Sequence, residues 1–240
     1  LAARQVEAGV HFVVPVGTTG ESPTLTPQER RKVVEIVADE VEGQAMVLAG
    51  AGGYDTRDVI QSITDLESAG IHGILSVTPY YNKPTQEGLF QHYRAIAERT
   101  KLPIVLYNVP GRTGCNIEPA TVVKLAGISN IVGIKEASGN MTQMAEIASI
   151  VPPDFIVLSG DDALALPLMA VGGRGVISVV SNLAPAETVQ MVEAAERGDF
   201  AAARKWHQKL MPLMQVNFVE SNPIPVKFAA AKMGLCDEVY

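Results

Sequence analysis

Lys135 ends an apolar run, Ile131-Val-Gly-Ile-Lys-Glu-Ala, and is the residue with the most chemistry to offer. Directing a lysine into a core costs several kcal/mol unless its ammonium is paired or loses its proton. The deprotonated amine is a nucleophile that forms Schiff bases with carbonyl compounds. The local alternative is a strand-end lysine that snorkels outward. Other groups recur just after similar runs: Thr18-Thr19, Tyr80-Tyr81, Tyr107-Asn108, Gly160-Asp161 and Ser178, with Arg112 in the loop after Tyr107. Together they describe an amine nucleophile with hydroxyls and phenols to relay protons and an arginine to hold a carboxylate. Gly17-Thr-Thr-Gly-Glu reads either as a backbone anion nest or as a tight turn with capping threonines.

These groups need a scaffold that brings them to one place. Short β-branched runs near 11–17, 45–51, 73–78, 103–108, 131–135, 155–159 and 175–180 alternate with helical patterns near 27–42, 56–69, 86–99, 119–126, 141–150 and 163–171. That alternation predicts parallel pairing with helices covering the sheet. The residues Leu1 to Gly9 have the pattern of a helix tail with a C-terminal glycine. A strand preceding it would make eight, so the reading is an α/β (β/α)₈ TIM barrel whose first strand is missing from this chain. Residues 1–197 are assigned to the barrel and 198–240 to the start of a truncated C-terminal helical region, with helical segments near 184–197, 200–213 and 224–233. In such a barrel the active site forms at the C-terminal ends of the strands, where the groups above fall.

Composition narrows the function classes. With 47% hydrophobic residues, the chain can bury a large single core. A net charge of −7 argues against a nucleic-acid footprint. The nearly apolar stretch from Ala163 to Gly173 is too short to cross a membrane. The two cysteines, Cys115 and Cys236, provide no disulfide framework and fit a reducing cytosol, so a cytoplasmic protein is expected. The four histidines show no ligand spacing, so no metal site is expected; Asp161-Asp162 is read as organising its loop. Gly50-Ala-Gly-Gly lacks the third glycine of a dinucleotide fingerprint. Asn222-Pro-Ile-Pro-Val-Lys is read as a structural turn entering a helix.

Six segments in order carry a resemblance: Gly17-Thr-Thr-Gly-Glu-Ser, Val77-Thr-Pro-Tyr-Tyr-Asn-Lys-Pro, Tyr107-Asn-Val-Pro-Gly-Arg-Thr-Gly, Gly133-Ile-Lys-Glu-Ala-Ser-Gly, Leu158-Ser-Gly-Asp-Asp and Asn222-Pro-Ile-Pro-Val-Lys. With them the chain resembles the dihydrodipicolinate synthase family, within the N-acetylneuraminate lyase superfamily of class I aldolases. The resemblance implies a (β/α)₈ barrel with C-terminal helices and a chain incomplete at both ends. It implies a condensation of pyruvate with L-aspartate 4-semialdehyde in lysine and diaminopimelate biosynthesis. It implies that Lys135 forms the Schiff base, that Tyr107 is the phenol beside it, and that Thr18 and Tyr81 complete a proton relay, Tyr81 reaching in from a neighbouring subunit. Thr19 then holds the pyruvate carboxylate, Arg112 the carboxylate of the semialdehyde, and Gly160 and Ile177 present backbone groups. No cofactor is implied beyond the lysine Schiff base, and the implied assembly is a homotetramer of two dimers. The competing expectations are another pyruvate-dependent lysine aldolase, acting on a sugar acid, or an inactive binding barrel. Arg112 favours a short carboxylate-bearing aldehyde over a sugar acid.

Overall fold

A computed structural model describes residues 1–240. Seven strands form one parallel sheet in sequence order: β1 (Phe12–Val13), β2 (Met46–Gly50), β3 (Gly73–Val77), β4 (Ile104–Asn108), β5 (Ile131–Glu136), β6 (Ile156–Ser159) and β7 (Gly175–Val176). Eleven α-helices accompany them: α1 (Ala2–Glu7), α2 (Pro27–Val41), α3 (Thr56–Leu66), α4 (Gln86–Ala97), α5 (Pro110–Thr113), α6 (Pro119–Ala126), α7 (Met141–Ile150), α8 (Asp162–Ala170), α9 (Pro185–Glu196), α10 (Phe200–Val216) and α11 (Ile224–Lys232). Every crossover between consecutive strands contains a helix, and neighbours in the sheet are neighbours in sequence. This is the order of a (β/α)₈ barrel, and the seven strands are its staves.

The middle strands β3, β4 and β5 are largely buried on both sides, and alternation along the sheet sorts residues between two cores. Outward-facing Ile74, Ile104, Leu106, Ile134 and Val157 pack against Leu89, Val122, Leu125, Met144 and Ile147 of the surrounding helices. Inward-facing Leu75, Val105, Tyr107, Leu158 and Ile177 form a smaller inner cluster. Helix starts follow capping chemistry. Thr26 and Glu29 form a reciprocal capping box at α2, while Asp55, Thr85, Asn140 and Asp161 accept N–H bonds at α3, α4, α7 and α8.

Two expected strands are shorter than their apolar runs. The run near 11–17 pairs only through Phe12 and Val13, because Pro15 lacks an N–H and Val16 turns to a left-handed φ of 50°. The run near 175–180 pairs only through Gly175 and Val176, after which Asp162 takes the N–H groups of Val179 and Val180. The C-terminal helix α10 packs on α8 and α9 through Ala165, Met191, Leu210 and Met214. No helix is long and apolar enough to cross a membrane.

Candidate active site

The C-terminal ends of the strands open into a cavity of about 690 Å³, which also reaches Leu1, Val10 and His11 at the opposite end. Thr18, Thr19, Tyr107, Arg112, Lys135, Gly160 and Ile177 all line it, so seven of the eight expected site residues meet in one place. The register explains the central pair: Tyr107 lies beside Lys135 across β4 and β5, and both side chains point inward. Lys135 Nζ sits 4.3 Å from the centre of the Tyr107 ring. Gly160 makes this possible. A Cβ there would fall 2.9 Å from Lys135 Cε and 2.6 Å from Ala137 Cβ, so a side chain would drive the lysine from its channel. The Gly160 N–H is already bonded to Glu136 O at 2.8 Å and the Ile177 N–H to Ser159 O at 2.9 Å. The N–H groups of both residues are therefore already satisfied within the sheet.

Burial sets the protonation of the pair. Desolvation pulls Lys135 down to about 8; the nearby Arg112 pushes the same way, and buried Asp162 opposes them. Desolvation also raises the Tyr107 phenol, against the smaller lowering effects of the nearby Thr18 hydroxyl and of Arg112. The neutral amine fraction of Lys135 therefore rises steeply up to pH about 8 and levels off above it, whereas an ordinary lysine would need a pH above about 10. Borohydride trapping of a bound oxo acid is expected to accelerate nearly tenfold per pH unit below 7 and to reach a plateau above 8.5 or so, measured by mass spectrometry of quenched samples. A trapping rate still climbing at pH 10 would show that the desolvation is not felt.

The opening loop presents its threonines to the cavity. Glu21 N–H donates to Thr18 O at 3.0 Å, and α2 is capped further on by Thr26, so Thr18 and Thr19 are not the capping residues of that helix. Gly50 lets this loop approach β2: a Cβ there would sit 2.3 Å from Val16 O. The Asn222 segment is more than a turn. Asn222 Nδ2 donates to Thr19 Oγ1 at 2.9 Å, and Arg112 Nη2 donates to Asn222 O at 3.0 Å. Lys227, in α11, pairs with Glu21 at 2.7 Å. One C-terminal segment thus braces both residues expected to hold carboxylates, across some 200 positions of chain in the case of Thr19. No local signal in the sequence announces that contact.

Tyr81 is the exception. It is 90% exposed, stands at a left-handed φ of 72° in the loop between β3 and α4, and is absent from the cavity of its own chain. Its neighbour Tyr80 packs edge-on against Tyr54, with ring centres 5.3 Å apart. Asp161 and Asp162 organise loops as expected. Asp161 caps α8, and buried Asp162 accepts from Ser178 Oγ and from the N–H groups of Val179 at 2.9 Å and Val180 at 3.1 Å. Three histidines bond across neighbouring elements: His72 accepts from Val47 N–H, His92 meets Thr56 Oγ1, and His207 meets Ala163 O.

Residues 1–240 match the dihydrodipicolinate synthetase family. A 4-hydroxy-tetrahydrodipicolinate synthase of Methanopyrus kandleri is 54% identical over 234 residues, covering 97% of this chain and 78% of the relative. A crystal structure of dihydrodipicolinate synthase from Thermotoga maritima superposes with a TM-score of 0.98 at 46% identity, covering 100% of this chain and 82% of that one. A monomeric dihydrodipicolinate synthase variant also superposes with a TM-score of 0.98, at 45% identity, covering 100% of this chain and 81% of that one.

Proposed function

This chain belongs to the dihydrodipicolinate synthetase family, and on that premise we propose how its residues divide the work of a 4-hydroxy-tetrahydrodipicolinate synthase. The activity is that of a lyase, a class I aldolase in lysine and diaminopimelate biosynthesis. The observation that carries the assignment of roles is the desolvated Lys135 amine over the Tyr107 ring, in a cavity edged by Thr18, Thr19 and Arg112.

Neutral Lys135 attacks the oxo carbon of pyruvate, and the carbinolamine loses water to give an iminium. The iminium withdraws electrons, so a methyl proton leaves and an enamine forms. The enamine carbon then bonds to the aldehyde carbon of L-aspartate 4-semialdehyde, and the aldehyde oxygen takes up a proton. The amino group of the second substrate displaces Lys135 as the ring closes, with a net loss of one water. Tyr107 and Thr18 stand in the same cavity as the amine and carry these protons. Lysine itself is the electron sink, so no cofactor is required in this scheme. Thr19 holds the pyruvate carboxylate, steadied by Asn222. Tyr81 comes from a partner subunit in a homotetramer built as two dimers. The enzyme works in the cytosol, a reading supported by its two unpaired cysteines and its biosynthetic role.

The test of the central assignment is borohydride reduction in the presence of pyruvate: the mass of reduced pyruvate is expected on Lys135, and a protein left unlabelled would refute it. Arg112 holds the carboxylate of the semialdehyde. Only one of its guanidinium nitrogens donates to Asn222 O, which leaves donors free to face the cavity. Arg112→Ala is expected to raise KM for the semialdehyde by about ten- to a hundredfold, the equivalent of about 1.5–3 kcal/mol for a lost charge-assisted bond, with a much smaller change for pyruvate. Initial-rate titrations of each substrate decide it; equal effects on both would place Arg112 in the architecture instead.

A further inference from the structure

Behind the Tyr107–Lys135 pair, on the outer face of the same two strands, lies a buried polar cluster that the chemistry above does not use. Glu136 follows Lys135, so alternation turns its side chain away from the cavity and toward α7. It is 0% exposed. Its Oε1 accepts from the Ser138 N–H at 2.7 Å, and its Oε2 accepts from Asn108 Nδ2 at 2.6 Å and Gln143 Nε2 at 3.3 Å. Asn108 follows Tyr107, and the register pairs Asn108 with Glu136 as it pairs Tyr107 with Lys135. Asn116 closes the cluster, accepting from Asn108 Nδ2 at 2.9 Å and donating to Gln143 Oε1 at 2.9 Å.

Every partner of Glu136 is a donor, which suits an acceptor-only carboxylate. None of the chain's ion pairs includes it. A carboxylate taken out of water without a countercharge is held only by its hydrogen bonds, and hydrocarbon would fill this layer at lower cost. The acid nevertheless stands directly behind the nucleophile. We infer that Glu136 is a positioning residue: its bonds to Asn108 and Ser138 pin the ends of β4 and β5 and so hold Lys135 Nζ over the Tyr107 ring. This rests on Lys135 being the Schiff-base residue.

Glu136→Gln tests it. Whichever way the new amide turns, its NH₂ meets a donor, so at least one bond becomes a donor–donor contact. With kcat and the rate of pyruvate trapping at Lys135 both expressed per folded molecule, each is expected to fall about 10- to 100-fold, the scale of a misplaced reacting group. The pair Asn108→Asp/Glu136→Gln reverses donor and acceptor between the two strands and is expected to recover most of the loss. An unchanged rate per folded molecule, a loss that merely follows the unfolded fraction, or a pair no better than Glu136→Gln alone would each overturn the inference. Wild-type protein run alongside separates the two levels: if it fails to trap pyruvate, the Lys135 assignment falls first, whatever happens at Glu136.

Discussion

Lys135→Ala is expected to abolish turnover and pyruvate trapping while leaving a protein that unfolds no earlier than the wild type. The kinetic half follows from covalent catalysis. Without the amine there is no iminium, and the relay proposed for Tyr107 and Thr18 has no intermediate to serve. Proton transfers alone contribute about 10²–10⁴-fold, so losing the intermediate they act on should remove at least that much. The stability half follows from the sign of the lysine's shift. Burial lowers Lys135 from 10.5 to about 8, so the folded state holds its proton less tightly than the unfolded chain. The resulting burden on folding is fully present below pH 8 and is relieved as pH rises from about 8 toward 10.5. Replacing the amine removes that burden at neutral pH, against the lost packing of its stem. A dead but undiminished fold, read by thermal melting at pH 7, distinguishes a functional lysine from a structural one. Retained trapping would move the nucleophile elsewhere. Lys83 is the first alternative, although it is exposed at a left-handed φ of 45°.

How far such a site can be read from sequence depends on the range of the contacts that build it. Lys135, Tyr107, Thr18 and Gly160 were legible because each ends or follows an apolar run, and in a parallel barrel all strand ends meet. Helices α6 and α7 have the expected limits because Pro119 opens one and the Asn140 cap opens the other. Where the apolar pattern outran the ladder, at Pro15–Val16 and at Ser178–Val180, backbone geometry and a buried aspartate ended the strand, and neither is visible in hydropathy. The segment that braces Thr19 and Arg112 through Asn222 has in sequence only the signature of a turn, because nothing local marks a side chain that bonds across the fold. Asp161-Asp162 was legible as a loop organiser but not in its division of labour. One residue caps a helix, while its neighbour, held above the ordinary carboxylate range chiefly by burial, gathers the strand end beside Lys135.

Mixing two inactive variants, Tyr81→Phe and Lys135→Ala, is expected to restore roughly a quarter of wild-type activity, because random pairing makes half the dimers hybrid and each hybrid has one complete site. The expectation starts from the exposure of Tyr81. A phenol 90% exposed on a loop, outside the cavity of its own chain, serves no intrachain relay in this arrangement. A non-glycine residue at a φ of 72° is also uncommon, and the loop carries a second at Lys83. Backbone held in that region concentrates where a side chain must be presented outward in one direction. If Tyr81 enters the partner's cavity, the Tyr81→Phe subunit supplies an intact Lys135 and the Lys135→Ala subunit supplies the missing hydroxyl. The complementary site in the same dimer lacks both. If Tyr81 instead acts within its own chain, no mixture contains a subunit with both groups, and activity stays at the sum of the parents. Co-expression with two affinity tags and sequential purification isolates the hybrids, in which activity should approach half that of wild type. Tyr81→Phe alone should lose about 10²-fold in kcat, as the removal of one proton carrier predicts. Hybrids of verified composition with no gain over the parents would refute sharing, as would a monomer that works at full rate.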